Sequence, residues 1–194
     1  VFGNGEIVIT SSFKPGDIDL PDLPRYGLYL QMPNNFRQVE WFGRGPHESY
    51  ADRKHSARIA RFSGRSDEQF YNYIRPQETG NKTDVRWIAL SNEEGIGLLA
   101  VGDQLINASV YPFDHADFDD GVPARHQHSY DLVKKPYLTL NLDHKMMGVG
   151  GDTSWGAVIH PQFRVPAKEY RYRVRLQPFS TETGDPAEIS RERF

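Results

Sequence analysis

From Tyr170 to Gln177 the chain alternates without a break: Tyr170, Tyr172, Val174 and Leu176 fall on one side, and Arg171, Arg173, Arg175 and Gln177 on the other. Successive side chains of an extended backbone leave opposite faces, so a period of two predicts a strand with one face on a core and the other toward solvent. Here the outer face is strongly cationic. Leu138, Leu140 and Leu142 alternate in the same way with Tyr137, Thr139, Asn141 and Asp143. Around Val85, Trp87 and Ala89 the intervening Ile88 and Leu90 are apolar too, which predicts a strand covered on both faces.

Shorter strands are predicted at 7–10, 27–31, 38–41, 56–62, 97–101 and 106–111, separated by Gly, Pro, Asn and Asp clusters that suit turns. No helical periodicity lasts three turns. The best short helix follows Asp114, a residue suited to the N-cap, and stops before Gly121. The fold class is therefore all-β, with two packed sheets. Residues 1–180 make one domain, and residues 181–194 turn polar and lose the strand pattern, a loosely held tail. The strand that begins almost at Val1 suits a piece of a longer chain.

Composition narrows function mainly by exclusion. The 194 residues carry a net charge of -3, and the arginines do not gather into a block, which argues against nucleic acid as a partner. No apolar run approaches the roughly 20 residues of a membrane span. There is no cysteine, hence no thiol nucleophile or disulfide, and the compartment, cytoplasmic or periplasmic, stays open.

Four clusters could carry chemistry. Residues 41–53, WFGRGPHESYADR, hold aromatic and charged groups on a backbone constrained by two glycines and a proline. Satisfaction of local backbone groups is the plainer role for Glu48, Asp52 and Arg53. Residues 73–87 form a polar loop that feeds a buried strand, with Glu78 near its middle. Glu48 and Glu78 could be paired as the two carboxylates of a glycosidase, which stand about 5–9.5 Å apart. Carboxylates beside arginine in loops are more often ion-paired, so no catalytic residue is assigned.

Residues 147–155, MGVGGDTSW, lack the spacing of a phosphate-binding loop. Gly150, Gly151, Asp152 and Ser154 can instead fix a turn that presents Trp155, although a buried core indole is the plainer reading of a tryptophan. His115, Asp117, Asp119, Asp120, His126 and His128 match neither a calcium loop nor a zinc spacing, so no metal site is assigned.

Taken in order, residues 41–53 (Trp-x-Gly-x-Gly-Pro-x-Glu-x-Tyr-x-Asp-Arg), 73–87 and 147–155 resemble the small-chain domain of glycoside hydrolase family 2 β-galactosidases, from about Glu6 to Phe179. The resemblance implies an antiparallel supersandwich similar to galactose mutarotases, here without its first strands. It places the catalytic acid and nucleophile in a preceding barrel, outside this chain. It makes Trp155 part of the aglycone-side platform of that barrel's active site, with Gly150, Gly151, Asp152 and Ser154 as supporting loop. Trp41, Glu48, Tyr50, Asp52, Arg53, Glu78 and Arg86 become structural motif residues.

The implied partners are the other domains of the parent enzyme and a terminal β-galactoside. No cofactor belongs to this chain, and Mg²⁺ or Na⁺ belongs to the parent. Thr153 replaces an acidic residue common in relatives, and Thr79 an asparagine. Two other readings stay open: a self-standing carbohydrate-binding module, and an assembly domain that uses the Arg171, Arg173, Arg175 face or unpaired sheet edges to meet other domains or a second copy.

Overall fold

The computed structural model describes residues 1–194 except 18, 120–127, 154, 157, 183 and 193–194. Its eight strands are β1 (Ile7–Phe13), β2 (Arg25–Pro33), β3 (Gln38–Gly45), β4 (Arg58–Arg65), β5 (Lys82–Ser91), β6 (Ile96–Tyr111), β7 (Tyr137–Met146) and β8 (Tyr170–Ser180). Two single-turn helices, α1 (His115–Phe118) and α2 (Pro186–Ile189), complete the regular structure together with three 3₁₀ turns. The Asp114 N–H donates to the Asp117 carboxylate at 2.7 Å, so α1 starts where the sequence places it.

All pairings are antiparallel, in the order β1-β8-β6-β5-β3-β4, with β7 also on β6 and β2 on β7. The 16-residue β6 organises this arrangement. β5 runs along one of its edges, while its other edge pairs first with β8, over 96–102, and then with β7, over 107–111. The sequence predicts two strands there, because Gly102-Asp103-Gln104-Leu105 looks like a turn. In the structure those residues belong to one strand, whose register against β5 shifts there and whose other edge changes partner from β8 to β7, so that the sheet divides into two leaves.

The leaves close on each other as a sandwich. Tyr26 of β2 packs its ring on Tyr172 of β8 at 5.5 Å and on Phe13 of β1 at 5.8 Å, and its hydroxyl meets that of Ser11 at 2.8 Å. Between the leaves lies the main core: Trp41, Ile88 and Leu90 from one side, Leu138, Leu140 and Leu142 from β7, and Tyr172, Val174 and Leu176 from β8. The alternations in the sequence predict which side chains these are. β5 is buried on both faces as its unbroken apolar run predicts, for Trp87 and Ala89 point away from the main core into a second cluster with Leu99, Val101 and Phe179.

That second cluster changes two expectations. Ala187 and Ile189 of α2 pack against it, so the polar segment after residue 180 is a docked cover and not a loose tail. The outer face of β8 is solvated only at its start. Arg171 is exposed, but Arg175 is fully buried beneath the docked segment, and Gln177 is buried as well. Alternation reports which way a side chain points, not what later covers it. Among the described residues β1, β2 and β4 have a neighbour on one side only, with Ile7, Tyr29 and Ile59 exposed along them.

Candidate functional site

β3 ends at Gly45, and the chain then enters a tight turn closed by reciprocal hydrogen bonds between Tyr50 and Arg53, with N···O distances of 2.9 and 3.3 Å. Tyr50 is buried, so this turn is fixed to the body of the domain. The Asp52 carboxylate points across to the loop that follows β7. It accepts the backbone N–H groups of Val149, at 3.2 Å, and Gly150, at 2.8 Å. The Arg53 guanidinium donates to the Gly150 carbonyl.

The glycines of this loop have separate causes. Gly150 and Gly151 sit at φ of 63° and 78°, in the left-handed region where other residues are strained. Gly148 is required by space, since a Cβ there would come within 2.5 Å of the Asp52 carboxylate. The base of the loop is further held by Met147 N–H on the Pro24 carbonyl and Gly148 N–H on that of Phe163. Beyond this base Trp155 stands 91% exposed, its backbone N–H donating to Thr153 Oγ1 at 3.3 Å. This exposure agrees with a glycine-fixed turn that presents Trp155 and sets aside the plainer reading of a core indole, because the fixed loop carries the ring away from the body. Asp152 meets His160 at 2.5 Å instead of bonding neighbouring amides, and Ser154 lies outside the described residues.

The other motif residues serve the frame. Trp41 is buried and donates its indole N–H to the Arg44 carbonyl at 3.0 Å. Arg86 lies on the second face, over the Phe42 ring at 5.3 Å, with an N–H on the Asp84 carbonyl. Glu48 ties the 73–87 loop to this turn, accepting from the Tyr73 hydroxyl, Thr79 Oγ1 and the Gly80 N–H. Burial and this bond to Glu48 push the Tyr73 phenol up to about 12. Thr79 also holds the Tyr71 N–H at 2.7 Å, so the loop is closed with threonine at that position.

Glu78 faces Arg25, at 3.5 Å, and Arg25 in turn is ion-paired with the buried Asp143. Burial pushes the Glu78 carboxyl up to about 7; Arg25 opposes this, and Asp143 and Glu48 reinforce it. The outer side chains of β7 predicted Asp143 as a surface group. In the structure it is buried and paired with Arg25, 118 residues away, for which there was no local signal. His115 is bonded to Asn141 and His128 stacks on Tyr130, while Asp120 and His126 lie outside the described residues. Among the described residues no three ligating side chains converge on a metal position, and no helix is long and apolar enough to cross a membrane.

A family model described as β-galactosidase small chain matches residues 1–176. The chain belongs to the β-galactosidase small-chain family. Similar proteins include β-galactosidases of Priestia megaterium, 36% identical over 179 residues, Lactobacillus delbrueckii subsp. bulgaricus, 35% over 179, and Vibrio cholerae, 38% over 159. These stretches cover 92%, 92% and 82% of this chain but only 17%, 17% and 14% of the relatives. The chain thus spans about a sixth of the length of the relatives it matches. The docked α2 segment lies beyond the residues that the family model matches.

Proposed function

We propose that this chain is the non-catalytic small-chain domain of a retaining β-galactosidase, and that Trp155 supplies a stacking face on the aglycone side of that enzyme's active site. The observation that carries this reading is an indole 91% exposed on a loop whose base is bonded to the domain at Gly148 and Gly150. A flat apolar ring held on a rigid base presents itself to the C–H face of a sugar at little entropic cost. Retaining hydrolysis needs an acid and a nucleophile about 5–5.5 Å apart and open to substrate. Glu48, with three donors on its carboxylate, and Glu78, held against Arg25, suit the frame better than that task. In this reading Mg²⁺ or Na⁺ is held by the rest of the parent polypeptide.

Two measurements test the proposal. The chain alone is expected to release no nitrophenol from a nitrophenyl β-galactoside above buffer. Turnover that persisted through repurification and vanished in Glu48→Gln or Glu78→Gln would defeat it. In the full-length β-galactosidase that carries this domain, Trp155→Ala is expected to raise KM about 5–10-fold, for a stacking loss on the order of 1 kcal/mol. Tm should hardly move, since the ring has little packing to lose. An unchanged KM with a lowered Tm would make Trp155 a structural residue.

A further inference from the structure

We infer that Asp52 is a positioning residue for Trp155, and that the turn bearing Asp52 exists in this fold to aim that indole; the inference rests on the proposed stacking role of Trp155. Three observations converge on Asp52. Its carboxylate takes two consecutive amides of the glycine loop, at Val149 and Gly150. Gly148 leaves no room for a side chain because that carboxylate lies against it. The turn that holds Asp52 is closed on itself through Tyr50 and Arg53 and rooted by the buried Tyr50 ring, so the carboxylate is a fixed point.

Arg53, the next residue, holds the Gly150 carbonyl, and thus one short turn grips the two peptide units that flank Gly150, one by its N–H and the other by its C=O. An acceptor for the amides and a donor for the carbonyl leave that residue one orientation, and the left-handed φ values at Gly150 and Gly151 then direct the chain outward. Past Gly151, Asp152 and Thr153 carry bonds that lie within the loop itself, to His160 and to the Trp155 N–H. The direction of the indole is therefore set at the base. Loss of the Asp52 carboxylate would free the loop to sample other orientations, and each binding event would then have to select the competent one.

The test compares Asp52→Ala, Asp52→Asn, Trp155→Ala and the double variant Asp52→Ala/Trp155→Ala in the full-length β-galactosidase. Hydrogen exchange at the Val149 and Gly150 amides is measured in the 194-residue chain. Asp52→Ala is expected to raise KM roughly 5-fold, the equivalent of one net hydrogen bond, with a smaller change in kcat. Asp52→Asn, which keeps one acceptor oxygen, should recover part of that loss. The double variant should be no worse than Trp155→Ala alone, because both changes remove the same contact.

A role confined to stability would instead lower Tm, act additively with Trp155→Ala and leave KM alone. A normal KM in Asp52→Ala, beside a raised one in Trp155→Ala, would overturn the positioning role and spare the stacking role. An unchanged KM in Trp155→Ala overturns both. Unaltered exchange at Val149 and Gly150 in Asp52→Asn would show that the carboxylate does not hold the loop, even if Asp52→Ala fails to fold.

Discussion

Replacing Arg175 by Met is expected to cost about 3–5 kcal/mol of folding stability, the range found when one partner of a buried ionic contact is removed. Arg175 is fully buried and donates to the carbonyls of Glu192, at 3.0 Å, and Ile189, at 2.9 Å. The carboxylates of Glu6 and Glu192 stand 3.7 and 3.9 Å from it. Met restores the volume and the apolar stem but supplies no donor, so two carbonyls and the buried Glu6 lose the group that faces them. In a chain ending at residue 180 the same replacement should cost under about 1 kcal/mol, because the carbonyls are gone and the guanidinium is free to meet water. Urea unfolding of the four chains gives the cycle. Equal costs of Arg175→Met with and without the segment would mean that Arg175 does not hold it.

The two changes also mark the boundary of what alternation can report. It placed Tyr170, Tyr172, Val174 and Leu176 on the inner face of β8 and Leu138, Leu140 and Leu142 on that of β7; all seven are buried, and all but Tyr170 build the main core. The composition and motif spacing of residues 41–53 and 147–155 likewise marked both segments of the site before their contact was known. What stayed hidden depends on residues far apart in the chain. Asp52 meets Gly150 across 98 positions and Arg25 meets Asp143 across 118, and no local pattern encodes such pairs. The cover over Arg175 was hidden for a related reason. Residues 186–189 form one turn whose apolar contribution is essentially Ala187 and Ile189, too little to register as an amphipathic helix. Trp155 shows the converse limit: residue type favours burial, and only the glycine-fixed loop around it overrides that preference.

Glu78→Gln is expected to stabilise the domain above pH 7 and to flatten its pH dependence between about 4.5 and 7. Burial raises the Glu78 carboxyl from 4.5 to about 7, against the pull of Arg25 and with help from Asp143 and Glu48. The folded state therefore holds a proton that the unfolded state has released throughout that window, so stability falls as pH rises through it. Below about 4.5 both states are protonated and the penalty is absent; above about 7 it is complete.

A shift of that size corresponds to about 3 kcal/mol, and since 29% of the side chain still meets solvent a gain of about 2 kcal/mol in Glu78→Gln is the better expectation. The substitution leaves Arg25 paired with Asp143, so it does not strand a cation. Asp143, itself raised by burial, contributes a slope of the same sign, which the variant keeps. Tyr50 and Tyr111, whose phenols are also pushed up by burial, titrate above the window and do not contribute within it. Unfolding free energies at intervals from pH 4 to 8 check the expectation. A slope in Glu78→Gln as steep as in the unaltered chain would mean that Glu78 titrates normally and that Arg25, at 3.5 Å, offsets its burial in full.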